Sequence, residues 1–428
     1  MNLRQADSYL KSLKKFGIRM RLEHTERALE LLGNPHKKLK CIHVAGTNGK
    51  GSVCTYLHSI FMEAGFKVGL YTSPHFYKLN ERIKINNKFI PDKDIGRLAG
   101  RVKPAADRVS KELGELTFFE VTTVMAFLYF AEKKTDIVVL EVGLGGRLDA
   151  TNVVTPMASV ITNISREHMQ LLGSTLAQIA WEKAAIIKEH GLVVTAASGK
   201  ALEVIEEQCR EQKAVLCVVG DEVRYRMASS TLDGQEFIVN FFGKTHRISV
   251  RLLGRHQMAN AAVAFSVIEL LKTFHQLEVS NDAVMRGFSK AFIPCRLEVV
   301  QKKPVVLLDG AHNPDGVRKL ALALRDITFR KAVFVFGCSQ DKEYAAMAAA
   351  ISPLAKGVVV TETKLALPMN ARKLAIAFKK HLKKVSIEND VQRAVKKALL
   401  KASDSDVVVV TGSLYVAGEA RKLWHKRM

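Results

Sequence analysis

The chain has 428 residues, of which 65 are lysine or arginine and 42 are aspartate or glutamate, so its formal net charge is +23. Hydrophobic residues make up 48% of the chain, which excludes a disordered or fibrous protein and predicts a globular core. At roughly 150 residues per domain, this length predicts two or three domains. The six cysteines are scattered without a CxxC pair, which excludes a disulfide framework or a zinc knuckle and indicates reduced thiols.

Neither a secretory leader nor a membrane span is predicted. Charged residues are spread through residues 1–20, which therefore lack the uncharged core of a signal peptide. No later stretch reaches about 18 uninterrupted apolar residues. We therefore expect a soluble, cytoplasmic protein. Its basic charge permits nucleic acid, an anionic membrane surface or small anionic substrates as partners, and the dense lysine run at residues 379–384 is typical of a solvated helix face.

Short apolar runs alternate with helical patterns from about Leu39 onward, which predicts a βα succession and a largely parallel sheet. The first run, Cys41–Ala45, precedes a Gly-rich turn and a helix predicted over residues 53–64. Further strands are predicted at residues 68–71, 137–142 and 159–162, and further helices at residues 119–133 and 176–188.

Two changes of pattern predict how the chain is organised beyond this sheet. Residues 214–250 alternate between apolar and polar side chains around a turn at Asp233-Gly234, so we expect a small antiparallel insertion there. The pattern breaks around residues 292–304, and a second βα series follows. The sequence therefore predicts an α/β protein with a larger N-terminal domain at residues 1–295 and a smaller, Rossmann-like α/β domain at residues 296–428.

The strongest local signal is the stretch HVAGTNGKGS at residues 43–52, between a predicted strand and a predicted helix. Glycines let backbone N–H groups turn towards phosphate oxygens, a lysine reaches the terminal phosphates, and a serine can hold Mg²⁺. The spacing departs from the usual phosphate loop because Gly51 separates Lys50 from Ser52. A structural turn is the alternative, but the context favours nucleotide binding and a P-loop ATPase-like domain. The predicted phosphate contacts are Gly46, Thr47, Asn48, Gly49, Lys50, Gly51 and Ser52.

Three charged or ionisable residues beyond this loop are candidates for catalysis. Glu141 ends a predicted strand, where a carboxylate can hold a cation or form a strand-end salt bridge. His168 follows the next strand and is either a metal ligand or a structural histidine. Lys183 lies among apolar neighbours on a predicted helix, which is also typical of a paired or snorkelling lysine.

The second half of the chain offers a further set. Arg296 and Asp309 flank the first strand of the second βα series and could clamp a ribose and phosphates. The alternative for the turn after Asp309 is a capped helix start with Asn313 before Pro314. Asn260, near the start of a predicted helix, could read a base edge or cap that helix.

Together these motifs resemble the folylpolyglutamate synthase and dihydrofolate synthase family of the Mur-ligase superfamily, in the same order and over residues 16–416. The chain departs from the usual family residue at Glu167, Ala185 and Cys295, and residues 368–371 lack the arginine that often follows the proline there. None of these departures removes a predicted ligand. The stretches that carry the resemblance are residues 32–35, 43–52, 71–75, 117–120, 141–152, 167–168, 182–184, 256–260 and 308–314.

The resemblance implies a role for each matching residue. Residues 46–52 would bind the ATP phosphates, and two Mg²⁺ ions would be held by Ser52, Ser73, Glu141, His168 and a carbamylated Lys183. The implied catalytic residues are Lys50, Glu141, His168 and Lys183. Asn260, Arg296 and Asp309 match nucleotide contacts, and the implied substrate contacts are Thr117, Phe118, Phe119, Glu120 and His312.

The implied reaction is ATP-dependent attachment of L-glutamate to dihydropteroate, to reduced folates, or to both, and residues 117–120 favour both. A synthase that only extends folate tails is the first alternative. A P-loop ATPase acting on nucleic acid is an alternative from another class, but no motor or base-reading element is evident. The 45 residues before Gly46 are too few for the nucleotide-sugar domain of peptidoglycan ligases. We expect a monomer whose partners are ATP, glutamate, dihydropteroate and reduced folates, without nucleic acid or membrane.

Overall fold

The computed structural model describes residues 1–17, 19–364 and 367–425. It divides into two compact units. The first comprises Met1–Tyr225, Val239–His246 and Ala259–Lys290, and the second comprises Arg226–Ile238, Arg247–Met258 and the chain from Ala291 onward. The domain boundary predicted between residues 295 and 296 stays a prediction, because these units also place two segments from residues 226–258 with the later part of the chain.

The first unit contains a mostly parallel sheet, as the sequence predicted. Its strands are β1 (Cys41–Ala45), β2 (Val68–Tyr71), β3 (Ile83–Ile85), β4 (Lys88–Phe89), β5 (Ile137–Glu141), β6 (Ala158–Ile161), β7 (Leu192–Thr195) and β8 (Val215–Val218). In the described chain their order is β4-β3-β2-β5-β1-β6-β7-β8. Strand β1 pairs in parallel with β5 and β6, whereas β3 and β4 form an antiparallel edge that the sequence analysis did not predict.

The central strands are buried along their whole length. Every residue of β1, β2, β5 and β6 is buried, which explains why they appear in the sequence as continuous apolar runs. The carboxyl ends of parallel strands meet at one edge of their sheet. The residues that follow these strands, including Gly46 and Thr162, are therefore placed at the same edge.

Helices flank these strands, and they lie in the first unit except for the first four residues of the ninth helix, which belong to the second unit. They are α1 (Leu3–Leu13), α2 (Glu23–Leu31), α3 (Lys50–Glu63), α4 (Asp92–Glu112), α5 (Phe118–Glu132), α6 (Met169–Leu172), α7 (Leu176–Ala184), α8 (Lys200–Glu211), α9 (Arg255–Phe274) and α10 (Asn281–Lys290). Helix α3 begins at Lys50 rather than at residue 53, because Gly49 takes the N-cap position with φ 93°. Lys50 and Ser52 therefore lie in its first turn. No helix in the described ranges is long and apolar enough to cross a membrane.

The predicted antiparallel insertion is present as a small separate sheet. It consists of β9 (Val223–Thr231), β10 (Gly234–Phe241) and β11 (Lys244–Val250), in the order β11-β10-β9. The tight connection between β9 and β10 contains Asp233 and ends at Gly234, whose φ is 153°.

The second unit contains the predicted C-terminal α/β series. Its elements are β12 (Glu298–Lys302), β13 (Val305–Leu308), α11 (Pro314–Arg325), β14 (Ala332–Phe336), α12 (Tyr344–Ile351), β15 (Ala355–Val360), α13 (Ala371–Lys379), β16 (Val385–Ile387), α14 (Val391–Leu399), β17 (Val407–Thr411) and α15 (Leu414–Arg421). The strand order is β12-β13-β17-β14-β15-β16 for the described residues, and only β12 is antiparallel to its neighbour. The Rossmann-like arrangement is thus confirmed.

Helices α3 and α10 of the first unit pack with almost no space between their backbones. A Cβ atom added at Gly287 would lie 2.5 Å from Ile60 Cα and 2.6 Å from Ile60 Cγ1. Close by, the rings of Tyr56 and Phe288 are 5.3 Å apart. The absence of a side chain at Gly287 therefore sets the distance between the helix that carries Lys50 and its neighbour.

We expect Gly287→Ala to lower the melting temperature by a few degrees, since overpacking a close contact typically costs about 1–3 kcal/mol. Differential scanning calorimetry measures the shift. Ser289→Ala is the matched control, because it changes a partly exposed position on the same helix. Equal melting temperatures for both variants and the parent chain would contradict the tight packing.

Candidate active site

The segment that follows β6 forms hydrogen bonds with the predicted phosphate loop. The Thr47 N–H donates to the Asn163 carbonyl oxygen at 2.8 Å, and the Asn48 N–H donates to Asn163 Oδ1 at 2.9 Å. The Thr162 hydroxyl donates to the Asn48 carbonyl oxygen at 2.7 Å. The Ser165 N–H donates to Thr47 Oγ1 at 3.0 Å. These bonds fix the loop before any ligand binds.

Two loop positions accept only glycine. Gly46 and Gly49 have φ values of 140° and 93°. A Cβ atom at Gly46 would lie 1.9 Å from Thr162 Oγ1, and one at Gly49 would lie 2.4 Å from Asn260 Oδ1. The structure thus places Asn260, a predicted nucleotide contact, directly against the phosphate loop.

Two lysines converge on the Gly46 carbonyl oxygen. Lys50 Nζ donates to it at 2.9 Å and also to the Thr47 carbonyl oxygen at 3.1 Å. Lys183 Nζ, from helix α7, donates to the same Gly46 oxygen at 3.0 Å. Lys183 is only 4% exposed. Burial and the nearby Lys50 charge lower the pKa of Lys183 to about 7, although Glu167 opposes the shift.

The carboxylate of Glu141 lies next to this loop. The Ser73 N–H donates to Glu141 Oε2 at 2.8 Å, and a Cβ atom at Gly51 would be 3.6 Å from Glu141 Oε1. Glu141 and Ser52 are both buried. The His168 side chain is 35% exposed, and its Nε2 lies 3.9 Å from Glu167 Oε1.

These side chains suit a magnesium ion that is bound together with a phosphate ligand. No group of three His, Cys, Asp or Glu side chains in the described chain forms a metal site by itself. Mg²⁺ usually takes one or two carboxylates and completes its shell with phosphate oxygens and water. The carboxylate of Glu141 fits that requirement, and two serines are close in the fold, namely Ser73, whose N–H binds that carboxylate, and Ser52 in the first turn of α3.

A cavity of about 260 Å³ in the first unit includes most of the predicted substrate residues. Phe119 occupies space that only a glycine at residue 143 allows, since a Cβ atom there would lie 2.4 Å from Phe119 Cζ. The cavity is lined by Gly17, Arg19, Met20, Arg21, Ser73, Pro74, Arg82, Thr117, Phe119, Glu120, Gly143, Leu144, Leu148, Asp149 and Ala150. Phe118 does not line it.

Thr117 and Glu120 also have a structural role, because they cap helix α5. The Glu120 N–H donates to Thr117 Oγ1 at 3.2 Å, and the Thr117 N–H donates to Glu120 Oε2 at 2.6 Å. This reciprocal pair is a capping box. One wall of the cavity is therefore the N-terminus of a helix.

The second unit holds the other predicted residues. Asp309 is buried, and its two oxygens accept hydrogen bonds from the Leu297 N–H at 3.0 Å and the Ala311 N–H at 2.9 Å. Burial raises the pKa of Asp309, whereas the Arg296 charge opposes the rise. His312 Nδ1 lies 2.9 Å from the Gly310 carbonyl oxygen.

The turn after Asp309 also starts a capped helix, which was the structural alternative for it. Asn313 caps α11, and its side chain accepts a hydrogen bond from the Gly316 N–H at 2.7 Å. Arg296 is flanked by Cys295 and Leu297, with φ values of 56° and 46°. Glycine adopts that conformation without strain, so the glycine that the resemblance leads us to expect at the position of Cys295 would fit this backbone.

Sequence reasoning did not assign a role to three residues that shape the site. Thr162 and Asn163 support the phosphate loop, and the signal for them was their place directly after a strand beside β1. Arg82 lines the cavity, but no motif in the sequence singled it out.

Two family descriptions match most of the chain. "Mur ligase middle domain" matches residues 44–268, and "Mur ligase, glutamate ligase domain" matches residues 295–414. A dihydrofolate synthase/folylpolyglutamate synthase of Bacillus subtilis is 36% identical to this chain, over 97% of it and 98% of that protein. The chain belongs to the folylpolyglutamate synthase and dihydrofolate synthase family of Mur ligases. The family predicted from the sequence is confirmed, and with it the enzyme class of ATP-dependent ligase.

Solved structures support the same family. A Thermotoga maritima folylpolyglutamate synthase is 34% identical, with a TM-score of 0.86 over 99% of this chain and 96% of that one. A Mycobacterium tuberculosis folylpolyglutamate synthase, complexed with ADP and AMPPCP, is 31% identical, with a TM-score of 0.89 over 99% and 98%. These relatives give no support to the alternative of an ATPase acting on nucleic acid.

We expect Thr162→Val to weaken binding of AMPPCP by roughly five-fold, because losing one hydrogen bond typically costs about 1 kcal/mol. Valine has the shape of threonine but cannot donate to the Asn48 carbonyl oxygen. Isothermal titration calorimetry measures the affinity. Thr162→Ser keeps the hydroxyl and is the matched control. If valine and serine at this position give equal affinities, the hydroxyl does not organise the loop.

Proposed function

We propose that this enzyme uses ATP to join L-glutamate to dihydropteroate and to the γ-carboxyl group of reduced folates. The observation that carries the proposal is the position of Ser73. Ser73 lines the 260 Å³ cavity, and its N–H binds Glu141, whose carboxylate adjoins the phosphate loop. An acid substrate in the cavity would thus have its carboxylate directed towards bound ATP.

The proposed reaction has two steps. The substrate carboxylate attacks the γ-phosphorus of ATP, so that ADP leaves and an acyl phosphate forms. The glutamate amine then attacks the acyl carbon and loses a proton, and inorganic phosphate leaves with the C–O bonding pair. Lys50 offsets charge on the phosphoryl group during the first step, and this kind of preorganised charge is the main source of catalysis in phosphoryl transfer.

Magnesium is included in this proposal, with Ser52, Ser73, Glu141 and His168 as its residues. When bound, Mg²⁺ would neutralise charge on the ATP phosphates. We further propose that Lys183 is carbamylated and contributes an oxygen to a second Mg²⁺. A buried lysine beside Lys50 is otherwise hard to account for, because burial and the Lys50 charge both disfavour its ammonium form.

Nucleotide contacts form a separate part of the proposal. Asn260 lies against Gly49 of the loop and is proposed to contact the nucleotide. Arg296 and Asp309 are also proposed to contact the nucleotide, and His312 is proposed to contact the substrate. These three assignments rest on the resemblance alone. The monomeric state and the expected lack of nucleic acid and membrane partners stay predictions.

Activity on both substrates is favoured over tail extension alone by two features. Thr117, Phe119 and Glu120 lie in the cavity wall, as expected for a pterin contact. The relative from Bacillus subtilis is named for both activities. Extension of reduced folates alone is the second candidate, and the same assay separates the two.

We expect purified protein to release ADP in a glutamate-dependent way with either dihydropteroate or tetrahydrofolate, in the presence of Mg²⁺ and bicarbonate. A coupled assay for ADP measures the rate. Lys50→Ala should lower kcat by at least about 100-fold, which is the usual cost of one transition-state charge donor.

The outcomes of this assay are distinct. Turnover with tetrahydrofolate alone would leave a tail-extending synthase and remove the dihydropteroate activity from the proposal. A rate that does not depend on glutamate with either substrate would overturn the folate assignment. Lys302→Ala serves as a control for loss of charge, because this exposed lysine pairs with Asp233 outside the loop.

We expect carbamylation of Lys183 to be visible directly. With ¹³C-labelled bicarbonate, the chain should give a carbamate carbonyl signal in its ¹³C NMR spectrum, and Lys183→Arg should remove that signal. Activity should also fall after removal of carbon dioxide and return when bicarbonate is added. A labelled signal that persists in Lys183→Arg would place the carbamate on another amine.

A further inference from the structure

Arg82 is a buried cation without a carboxylate partner. It ends the short helical turn Leu79–Arg82, is only 9% exposed and lines the cavity beside Ser73. Within the described residues it forms no salt bridge. Buried charges in proteins are normally paired, so the uncompensated guanidinium points to an anion that is supplied from outside the chain.

The neighbours of Arg82 orient it without neutralising it. Its Nε donates to His75 Nδ1 at 2.8 Å. The ring nitrogen that accepts this bond carries no proton, so His75 orients Arg82 without offering it a negative charge. The Phe118 ring lies 5.3 Å from Arg82 Cζ, and Lys14 Nζ lies 5.5 Å from the same ring. Two cations, Arg82 and Lys14, therefore lie near the Phe118 ring.

The two terminal nitrogens of Arg82, Nη1 and Nη2, are available to donate hydrogen bonds to a ligand. No acceptor for Nη1 or Nη2 occurs in the part of the chain that the structure describes. Arg21, which lines the same cavity, differs in this respect, because it donates to Glu120 and to the Glu115 carbonyl oxygen. A planar guanidinium with two free N–H edges matches a carboxylate in bidentate geometry.

We propose that Arg82 binds the α-carboxylate of the glutamyl residue already present on a folate substrate. This inference rests on the folate function proposed above. The reacting γ-carboxylate must reach the phosphate loop, where Lys50 lies, but no loop residue lines the cavity. Arg82 is thus placed for the carboxylate that does not react. Dihydropteroate lacks this group, so Arg82 would favour substrates that already carry glutamate.

The test compares tetrahydrofolate with an analogue in which γ-aminobutyrate replaces the glutamate. The analogue keeps the reacting carboxylate and lacks only the α-carboxylate. The parent enzyme should prefer tetrahydrofolate by roughly 10- to 100-fold in kcat/KM, as expected for a charge-assisted bidentate pair. Arg82→Gln should reduce that ratio to nearly one, mainly by raising KM for tetrahydrofolate, and Arg82→Lys should retain part of it.

A purely structural role would lower the rates with both compounds by the same factor and leave the preference intact, and that result would overturn the proposal. Arg101→Gln is the matched control, since this exposed arginine pairs with Glu132 away from the cavity. Melting temperatures of all variants exclude unfolding as the cause.

Binding measurements keep this test separate from that of the enzyme's function. If no folate is turned over, the proposed function fails. Calorimetric titration of tetrahydrofolate and of the analogue, each in the presence of AMPPCP, would then still test Arg82. Equal affinity of the parent enzyme for both compounds would overturn the role of Arg82.

Discussion

The site is organised around one carbonyl oxygen, that of Gly46, which accepts hydrogen bonds from both Lys50 and Lys183. The positive charge of Lys50 disfavours the ammonium form of Lys183, and the burial of Lys183 disfavours it further. The arrangement becomes favourable when anionic groups are added, as the phosphates of ATP and the carbamate proposed for Lys183 would supply negative charge. The hydrogen bonds that the loop forms with Thr162 and Asn163 hold that carbonyl in place.

The edge of the parallel sheet explains how distant parts of the chain meet at this point. Four adjacent strands, β2, β5, β1 and β6, each end beside a residue of the candidate site. Ser73 follows β2, Glu141 ends β5, Gly46 follows β1 and Thr162 follows β6. Their spacing is that of neighbouring strands, so the scaffold fixes the positions of these groups and the loops only adjust them.

Prediction from the sequence succeeded where the signal was local. Buried parallel strands are continuous apolar runs, so β1 and β5 were predicted nearly to the residue, whereas the short edge strands β3 and β4 gave no such run. The role of Lys183 stayed open because its partner, Gly46, is 137 residues away. Arg82 gave no signal, since its significance depends on which carboxylates are absent around it after folding. Asn163 was missed because its bond partner Asn48 is 115 residues earlier.

The capping box at the start of α5 would link substrate choice to stability if the cavity holds the substrate as proposed. Thr117 and Glu120 cap the N-terminus of a largely buried helix and also form part of the cavity wall. Replacing Thr117 would leave the Glu120 N–H without this acceptor, and replacing Glu120 would do the same to the Thr117 N–H. Evolution of new substrate preference in this chain would therefore proceed more freely through Met20 and Leu148, which line the same cavity without capping a helix.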